Sequence, residues 1–156
     1  MNDASTSDEE LRDLYRELIL DHARSPRHFG KLADATHSAD GINPLCGDQL
    51  KMYFRLDDEQ RISDACFEGS GCAISVASAS LLTETVIGMS AQQAMDFVET
   101  VTDTLSGRSE NSSVELGKLR ALQGVREFPS RVKCATLAWH AMNAALQQNN
   151  AIASTE

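Results

Sequence analysis

Long apolar runs are absent from this 156-residue sequence: none approaches the roughly 20 residues that a membrane-spanning helix needs. Residues 1–6 are polar and acidic, unlike the basic and then apolar start of a secretory signal. We therefore expect a cytoplasmic protein with no membrane partner, in which thiols stay reduced. Positive charge is scarce too, because 14 lysines and arginines face 23 aspartates and glutamates, a formal net charge of −9. A binder of nucleic-acid phosphates presents a basic face, so no nucleic-acid partner is expected.

No internal repeat, low-complexity linker or second-domain boundary interrupts the sequence, and 42% of its residues are hydrophobic. This length and composition are those of one globular domain, large enough to bury a core without disulfides. We predict a single domain over residues 1–156, with 1–6 and 149–156 as disordered tails. Four cysteines in a reducing compartment then indicate metal binding, redox chemistry or packing rather than a disulfide framework.

The chain shows two clear strand patterns and several helix patterns. Apolar and polar residues alternate over 49–56, and a second strand over 61–68 follows an acidic turn at 57–60. A third strand is faintly indicated around residues 35–42. The capping signals and apolar periodicity predict helices over 7–25, 72–87 and 90–105, a short helix that ends at Gly124, and a last helix over 131–148.

Three cysteines stand where loops meet regular structure. Cys72 follows a turn with two glycines and lies at or just before the start of a helix, whose dipole and free N–H groups stabilise a thiolate. Cys46 lies in a Pro-Leu-Cys-Gly-Asp turn, and Cys134 is placed at the start of the last helix, so all three contexts suggest exposed thiols. Asp48 adds a carboxylate two residues after Cys46. Thiolates and a carboxylate suit Zn²⁺, and thiolates also hold iron–sulfur clusters.

The spacing of these residues leaves two interpretations open. The three cysteines are 26 and 62 residues apart and form no Cys-x-x-Cys pair. They fit either a metal or reactive-thiol site or inert buried cysteines, which are common in protein cores. Asp48 can likewise be a simple turn former. The fourth cysteine, Cys66, is predicted to be a surface or edge residue in mid-strand, and His22 to be a packed or rim residue of the first helix.

Four segments of the chain carry a family resemblance. They are Leu-Tyr at 14–15 with Asp-His at 21–22 and Ser-Pro-Arg at 25–27, Asn-Pro-Leu-Cys-Gly-Asp at 43–48, Phe-Glu-Gly-Ser-Gly-Cys at 67–72 with Ser-Ala-Ser at 78–80, and Arg-Val-Lys-Cys at 131–134. In this order, over residues 14–146, they resemble the U-type iron–sulfur cluster assembly proteins, the family of IscU, SufU and the N-terminal domain of NifU. The resemblance implies an α+β domain whose small antiparallel sheet of about three strands is packed on one face by about five helices.

Three features make the chain resemble SufU rather than IscU. Lys133 stands where IscU-like members have a histidine before the last cysteine, and Phe-Pro-Ser-Arg-Val at 128–132 replaces their Leu-Pro-Pro-Val-Lys chaperone segment. The stretch between Cys72 and Cys134 also carries an insertion relative to IscU, around residues 91–122. We therefore expect neither a histidine-ligated cluster nor docking to a dedicated Hsp70 chaperone.

The SufU resemblance implies Zn²⁺ held by Cys46, Asp48, Cys72 and Cys134, and a SufS-type cysteine desulfurase with pyridoxal phosphate as partner. The desulfurase would displace Cys46 from zinc, and Cys46, as the catalytic residue, would accept sulfane sulfur as a persulfide, a sulfurtransferase-like activity. The alternative is a scaffold without turnover that assembles a transient iron–sulfur cluster on Cys46, Cys72 and Cys134. The SUF assembly complex and apo iron–sulfur proteins are further partners that the family implies. A purely structural zinc module is the third interpretation.

Overall fold

The computed structural model describes residues 4–107, 117–147 and 153–154. In the part of the chain that it describes, no helix has both the length and the apolar character that crossing a membrane requires. The elements in chain order are helix α1 (Ala4–Arg24), strands β1 (His37–Asn43), β2 (Asp48–Leu56) and β3 (Ile62–Ser70), helices α2 (Ala73–Val86) and α3 (Ala91–Ser106), a 3₁₀ helix (Gly117–Glu127), helix α4 (Pro129–Leu146) and strand β4 (Ala153–Ser154).

The sheet has the strand order β3-β2-β1-β4. Strands β1, β2 and β3 form an antiparallel meander, and the two-residue β4 adds to β1 in parallel. The central strand β2 follows the predicted alternation, since it buries Leu50, Met52, Phe54 and Leu56. The predicted α+β fold with three antiparallel strands and five helical segments is thus confirmed, including the third strand that the sequence indicated only faintly.

Helix α4 lies directly on the sheet. A Cβ at Gly41 in β1 would be 3.2 Å from Leu137 Cδ1, so the small residue lets helix and strand approach closely. Helix α4 is tied to α2 by Ser78, whose hydroxyl donates to the Ala135 carbonyl (2.6 Å) and accepts from Trp139 Nε1 (3.0 Å). These bonds are buried, so they fix α4 and α2 relative to each other. Helix α4 contains Cys134, and α2 directly follows Cys72.

Helix α1 is tied to α2 by His22, which is fully buried, as the prediction of a packed residue allows. Its Nδ1 forms a 2.7 Å hydrogen bond with Ser80 Oγ, and its Nε2 is 3.6 Å from Glu84 Oε1. Burial is the main cause that lowers the pKa of His22, and the charge of Arg27 adds to it, while Glu84 acts in the opposite direction. The imidazole is therefore held neutral between the helices.

Several boundaries differ from the predictions. The short helix that was predicted to end at Gly124 continues to Glu127. Helix α1 begins at Ala4 rather than at Ser7, since neither glycine nor proline interrupts residues 4–7. Helix α4 begins at Pro129 rather than at Arg131, because proline's fixed φ and missing N–H suit a first helical position. The disordered tail predicted over 149–156 is wrong at Ala153–Ser154, which pair with the free edge of β1. Residues 4–6 of the predicted N-terminal tail belong to α1, so the prediction is wrong there too, and the remaining residues of both predicted tails lie outside the described part.

Acidification is expected to destabilise the fold through His22. Because the pKa of His22 is lower in the folded state than the ordinary value near 6.5, the unfolded chain binds more protons below that pH. The contribution of His22 to stability is present in full above about pH 6.5 and is lost as the pH falls through the folded-state pKa. Urea midpoints of the metal-free protein at pH 7.5 and 5.5 should therefore differ, with the lower value in acid.

A His22→Gln variant, which cannot titrate, should lose most of this pH dependence of the urea midpoint. His28→Gln is the matched control, because His28 is an exposed histidine that also bonds to α2, through Thr83 Oγ1 (3.0 Å). An equal loss of pH dependence in both variants would contradict the role assigned to His22.

Candidate metal centre

The predicted site residues meet at the end of the sheet where β1 and β3 finish and β2 begins. Three segments converge there. The hairpin loop 44–47 connects β1 to β2, and it is closed by the facing pair Asn43 and Asp48. The end of β3 faces the start of β2 and leads through Gly71 and Cys72 into α2. The third segment is α4, which brings Cys134 to the same place.

Cys46, Asp48 and Cys134 offer ligand atoms that all lie within 4.8 Å of one another. The thiol of Cys134 donates to Cys46 Sγ over 3.3 Å. Cys46 itself is exposed, while Asp48 and Cys134 are buried. Of the four predicted ligands, the structure therefore gathers three closely, and it combines one accessible thiol with two enclosed donors.

Asp48 is the buried carboxylate of the centre, with 1% of its surface exposed. Its Oδ1 accepts a hydrogen bond from the Cys72 backbone N–H at 2.8 Å. Its Oδ2 is buried and has no hydrogen-bond partner among the residues that the structure describes. Leaving such an acceptor unpaired costs about 1–3 kcal/mol, and more for a charged group. A cation bound by the neighbouring thiols would remove this cost, so the donor set fits Zn²⁺.

The exposure of Cys134 differs from the prediction. The thiol was expected to be exposed at a helix start, but it is fully buried in the second turn of α4, because that helix begins at Pro129. Burial raises the pKa of the Cys134 thiol, and its interactions with Cys46, Asp48 and Cys72 raise it further. Without a cation the thiol is therefore protonated, whereas a bound metal ion favours the thiolate.

Cys72 is the N-cap residue of α2, as predicted. Its sulfur accepts a hydrogen bond from the Ser75 N–H (3.5 Å), and its thiol contributes to the raised pKa of the Cys134 thiol. Within the described residues, Cys72 is not part of the close group formed by Cys46, Asp48 and Cys134. It stands beside that group, where it is half-buried.

Asn43 and Gly71 complete the centre, although the sequence alone indicates no role for either residue there. Asn43 is fully buried, and its Nδ2 donates to Cys134 Sγ at 3.6 Å. A Cβ on Gly71 would lie 2.6 Å from Asp48 Oδ1, so only glycine leaves room for the carboxylate. Both residues belong to the quoted motifs, at 43–48 and 67–72, but their function depends on contacts across the sheet edge that spacing does not reveal.

Cys66 lies apart from this group, as predicted. It is half-buried on β3, an edge strand of the sheet, and faces Tyr53 of β2. Burial is the main cause that raises the pKa of its thiol. A protonated, partly covered thiol on an edge strand needs no functional explanation.

The fold and the centre together place the chain in one class of protein. Its members are small α+β domains with cysteines and an aspartate grouped at the strand ends of an antiparallel sheet. The chain belongs to the NifU-like N-terminal domain family, whose model matches residues 14–155. This confirms the family resemblance that the motifs carry.

Two relatives and one solved structure show the range of this similarity. The zinc-dependent sulfurtransferase SufU of Bacillus subtilis is 42% identical over 132 residues, 85% of this chain and 88% of that protein. The iron–sulfur cluster assembly scaffold protein IscU of Streptococcus pyogenes is 37% identical over 89% of this chain and 86% of that protein. A SUF-system scaffold protein, FiSufU, from Fervidobacterium islandicum superposes with a TM-score of 0.77 at 35% identity, covering 83% of this chain and 94% of that one.

Adding one methyl group at Gly71 should damage the centre selectively. In Gly71→Ala the new Cβ collides with Asp48 Oδ1, which must move away from the Cys72 N–H. We expect Zn²⁺ affinity, measured by competition with a chromogenic chelator, to fall about 10–100-fold, the usual effect of disturbing a group that orients a ligand.

Gly124→Ala is the matched control, because a Cβ there meets nothing within 4 Å. It should bind Zn²⁺ like the unmodified chain. Unchanged affinity in a folded Gly71→Ala protein would show that Asp48 is not a ligand.

Proposed function

We propose that this chain serves iron–sulfur cluster assembly of the SUF type as a zinc-dependent sulfur acceptor for a cysteine desulfurase. The observation that carries the proposal is the unequal exposure of the centre: Cys46 is open to solvent on a hairpin loop, whereas Asp48 and Cys134 are enclosed. A set with two fixed donors and one accessible thiol suits a site whose accessible thiol reacts. The similarity to a zinc-dependent sulfurtransferase supports the same function.

The residues of the centre have two roles: some hold the metal ion, and one thiol reacts. Cys134 and Asp48 are the anchors, since Asn43 Nδ2 bonds the former and the Cys72 N–H bonds the latter. Cys72, at the start of α2, is the fourth donor. Zn²⁺ bound here would keep the thiols deprotonated at neutral pH, which is the form that binds metal and attacks sulfur. The loop at 44–47 carries Cys46 at the surface, within reach of a docked protein.

The transfer step is a thiolate attack on a persulfide. The Cys46 thiolate attacks the outer sulfur of a cysteine persulfide on the desulfurase, a new S–S bond forms at Cys46 Sγ, and the old S–S bond breaks. The desulfurase cysteine leaves as a thiolate. The outer sulfur keeps its proton as it is transferred to Cys46. No oxidant or reductant is consumed, and the pyridoxal phosphate chemistry that creates the first persulfide belongs to the desulfurase.

Sulfur should be found on Cys46 after turnover. The zinc-loaded protein is mixed with a SufS-type desulfurase and cysteine, and intact mass with peptide mapping should show an added sulfur atom at Cys46. Cys46→Ala should abolish the addition, because the other three donors are enclosed or half-buried. Cys66→Ala, which removes a thiol outside the centre, should leave it unchanged, and added sulfur that persists in Cys46→Ala would refute the acceptor role.

The second candidate is a scaffold that builds an iron–sulfur cluster as its cargo. It is favoured by the placement of thiols on three segments, since Cys46 and Cys134 lie in one close group and the Cys72 backbone N–H bonds Asp48 of that group. Cysteine thiolates are the usual ligands of such clusters. The relative from Streptococcus pyogenes is named a scaffold.

Anaerobic reconstitution with iron and sulfide distinguishes the two functions. As a sulfur acceptor, the chain should give no stable visible chromophore. A stable chromophore that is lost in Cys134→Ser but kept in Cys66→Ser would favour the scaffold instead.

A further inference from the structure

An open groove of about 700 Å³ lies on the helical side of the molecule, between α1, the start of α2, the 3₁₀ helix and the start of α4. Its lining is largely apolar and includes Tyr15, Ile19, Ile74 and Val125. Phe128, which also lines the groove, is 57% exposed. Such a volume and apolar lining are typical of sites that bind another molecule.

The charge of this groove is opposite to that of the chain. Five arginines line it, although the chain has 14 basic residues in total and a net charge of −9. Among the described residues that line the groove there is no aspartate or glutamate. The arginines are Arg12, Arg16, Arg120, Arg126 and Arg131.

Most of these arginines are available to a partner. Arg126 is partly used by the fold, since its Nη2 donates to the Thr104 carbonyl at 3.0 Å. Its Nε is buried and has no hydrogen-bond partner within the described part of the chain. The other four are exposed, and none forms an ion pair with another described residue. The groove thus offers guanidinium donors above an apolar floor.

We propose that this groove docks an acidic segment of a protein partner, with apolar side chains on the floor and carboxylates against the arginines. Covering the floor with a neutral or basic segment would leave guanidinium groups desolvated and unpaired, which is costly. A long polyanion such as nucleic acid would extend beyond the groove onto a surface of the same negative sign. A short acidic and apolar segment satisfies both the lining and the charge.

The groove lies next to the metal centre along the chain. Ala73 and Ile74, which line it, directly follow Cys72, and Arg131 is three residues before Cys134. A segment bound here would therefore contact the two helix starts from which these cysteines are presented. Docking at this surface does not depend on the sulfur chemistry of the centre.

Labelled peptides of defined charge test the proposal. The probe is a fluorescent helical peptide of about four turns, with leucines on one face and glutamates elsewhere; in two comparison peptides glutamine or lysine replaces every glutamate. Fluorescence anisotropy with the full zinc-loaded chain should give the glutamate peptide at least about tenfold tighter binding than either comparison peptide. Its affinity should fall with added salt.

Charge reversal locates the binding. Arg16→Glu and Arg120→Glu should each weaken binding of the glutamate peptide about tenfold, while Lys31→Glu, an equal charge change at an exposed loop residue outside the groove, should not. Amide chemical-shift changes on peptide addition should include Ile74 and Ala121 of the groove.

Three results would overturn the proposal. The first is equal affinity for the glutamate and lysine peptides. The second is equal binding by the arginine variants and the Lys31→Glu control, with their folding checked by circular dichroism. The third is self-association in sedimentation experiments that Arg16→Glu abolishes, which would assign the groove to a second copy of this chain.

Discussion

The geometry of the centre depends on the hydrogen bond between the buried carboxylate of Asp48 and the backbone N–H of Cys72. The carboxylate accepts this N–H with one oxygen, and the bond joins the start of β2 to the start of α2. The contact is possible only because Gly71 has no side chain, since a Cβ there would occupy the place of the carboxylate. The second oxygen is buried beside two thiols, and this oxygen has no hydrogen-bond partner in the described structure. A bound cation would therefore remove an unfavourable unpaired acceptor.

Burial then assigns different properties to similar side chains. Cys134 and Cys46 have sulfurs 3.3 Å apart, yet Cys134 is fully buried and Cys46 is exposed. Enclosure raises the pKa of Cys134, which is unfavourable for a free nucleophile but acceptable for a metal ligand whose proton the metal displaces. The exposed thiol of Cys46 can be reached from solvent. Position in the fold, rather than residue type, therefore separates the enclosed thiol from the accessible one.

The set of Cys46, Asp48, Cys72 and Cys134 could be predicted through the family resemblance, but the burial of Cys134 could not. The motifs around Cys46, Cys72 and Cys134 are local and carry turn and cap signals that a single sequence displays. Whether Cys134 is exposed depends on where α4 begins and on how closely it lies against β1 at Gly41, which is a matter of tertiary packing. Asn43 was missed for the same reason: its bond to Cys134 joins residues 91 positions apart in the chain.

The packing of α2 against α4 connects the centre to the stability of the whole domain. Ser78 bonds both Ala135 and Trp139 in the core, so α4 cannot shift along α2 without breaking buried hydrogen bonds. A metal ion that joins Cys134 of α4 to Asp48 of β2 would add a link between α4 and the sheet next to these hydrogen bonds, because Ala135 directly follows Cys134. Binding free energy gained only in the folded state adds to stability, so occupancy of the centre and the rigidity of α4 on the sheet should rise together. The loop that carries Cys46 is exposed over residues 44–47, so it contributes little to that packing and leaves its thiol accessible.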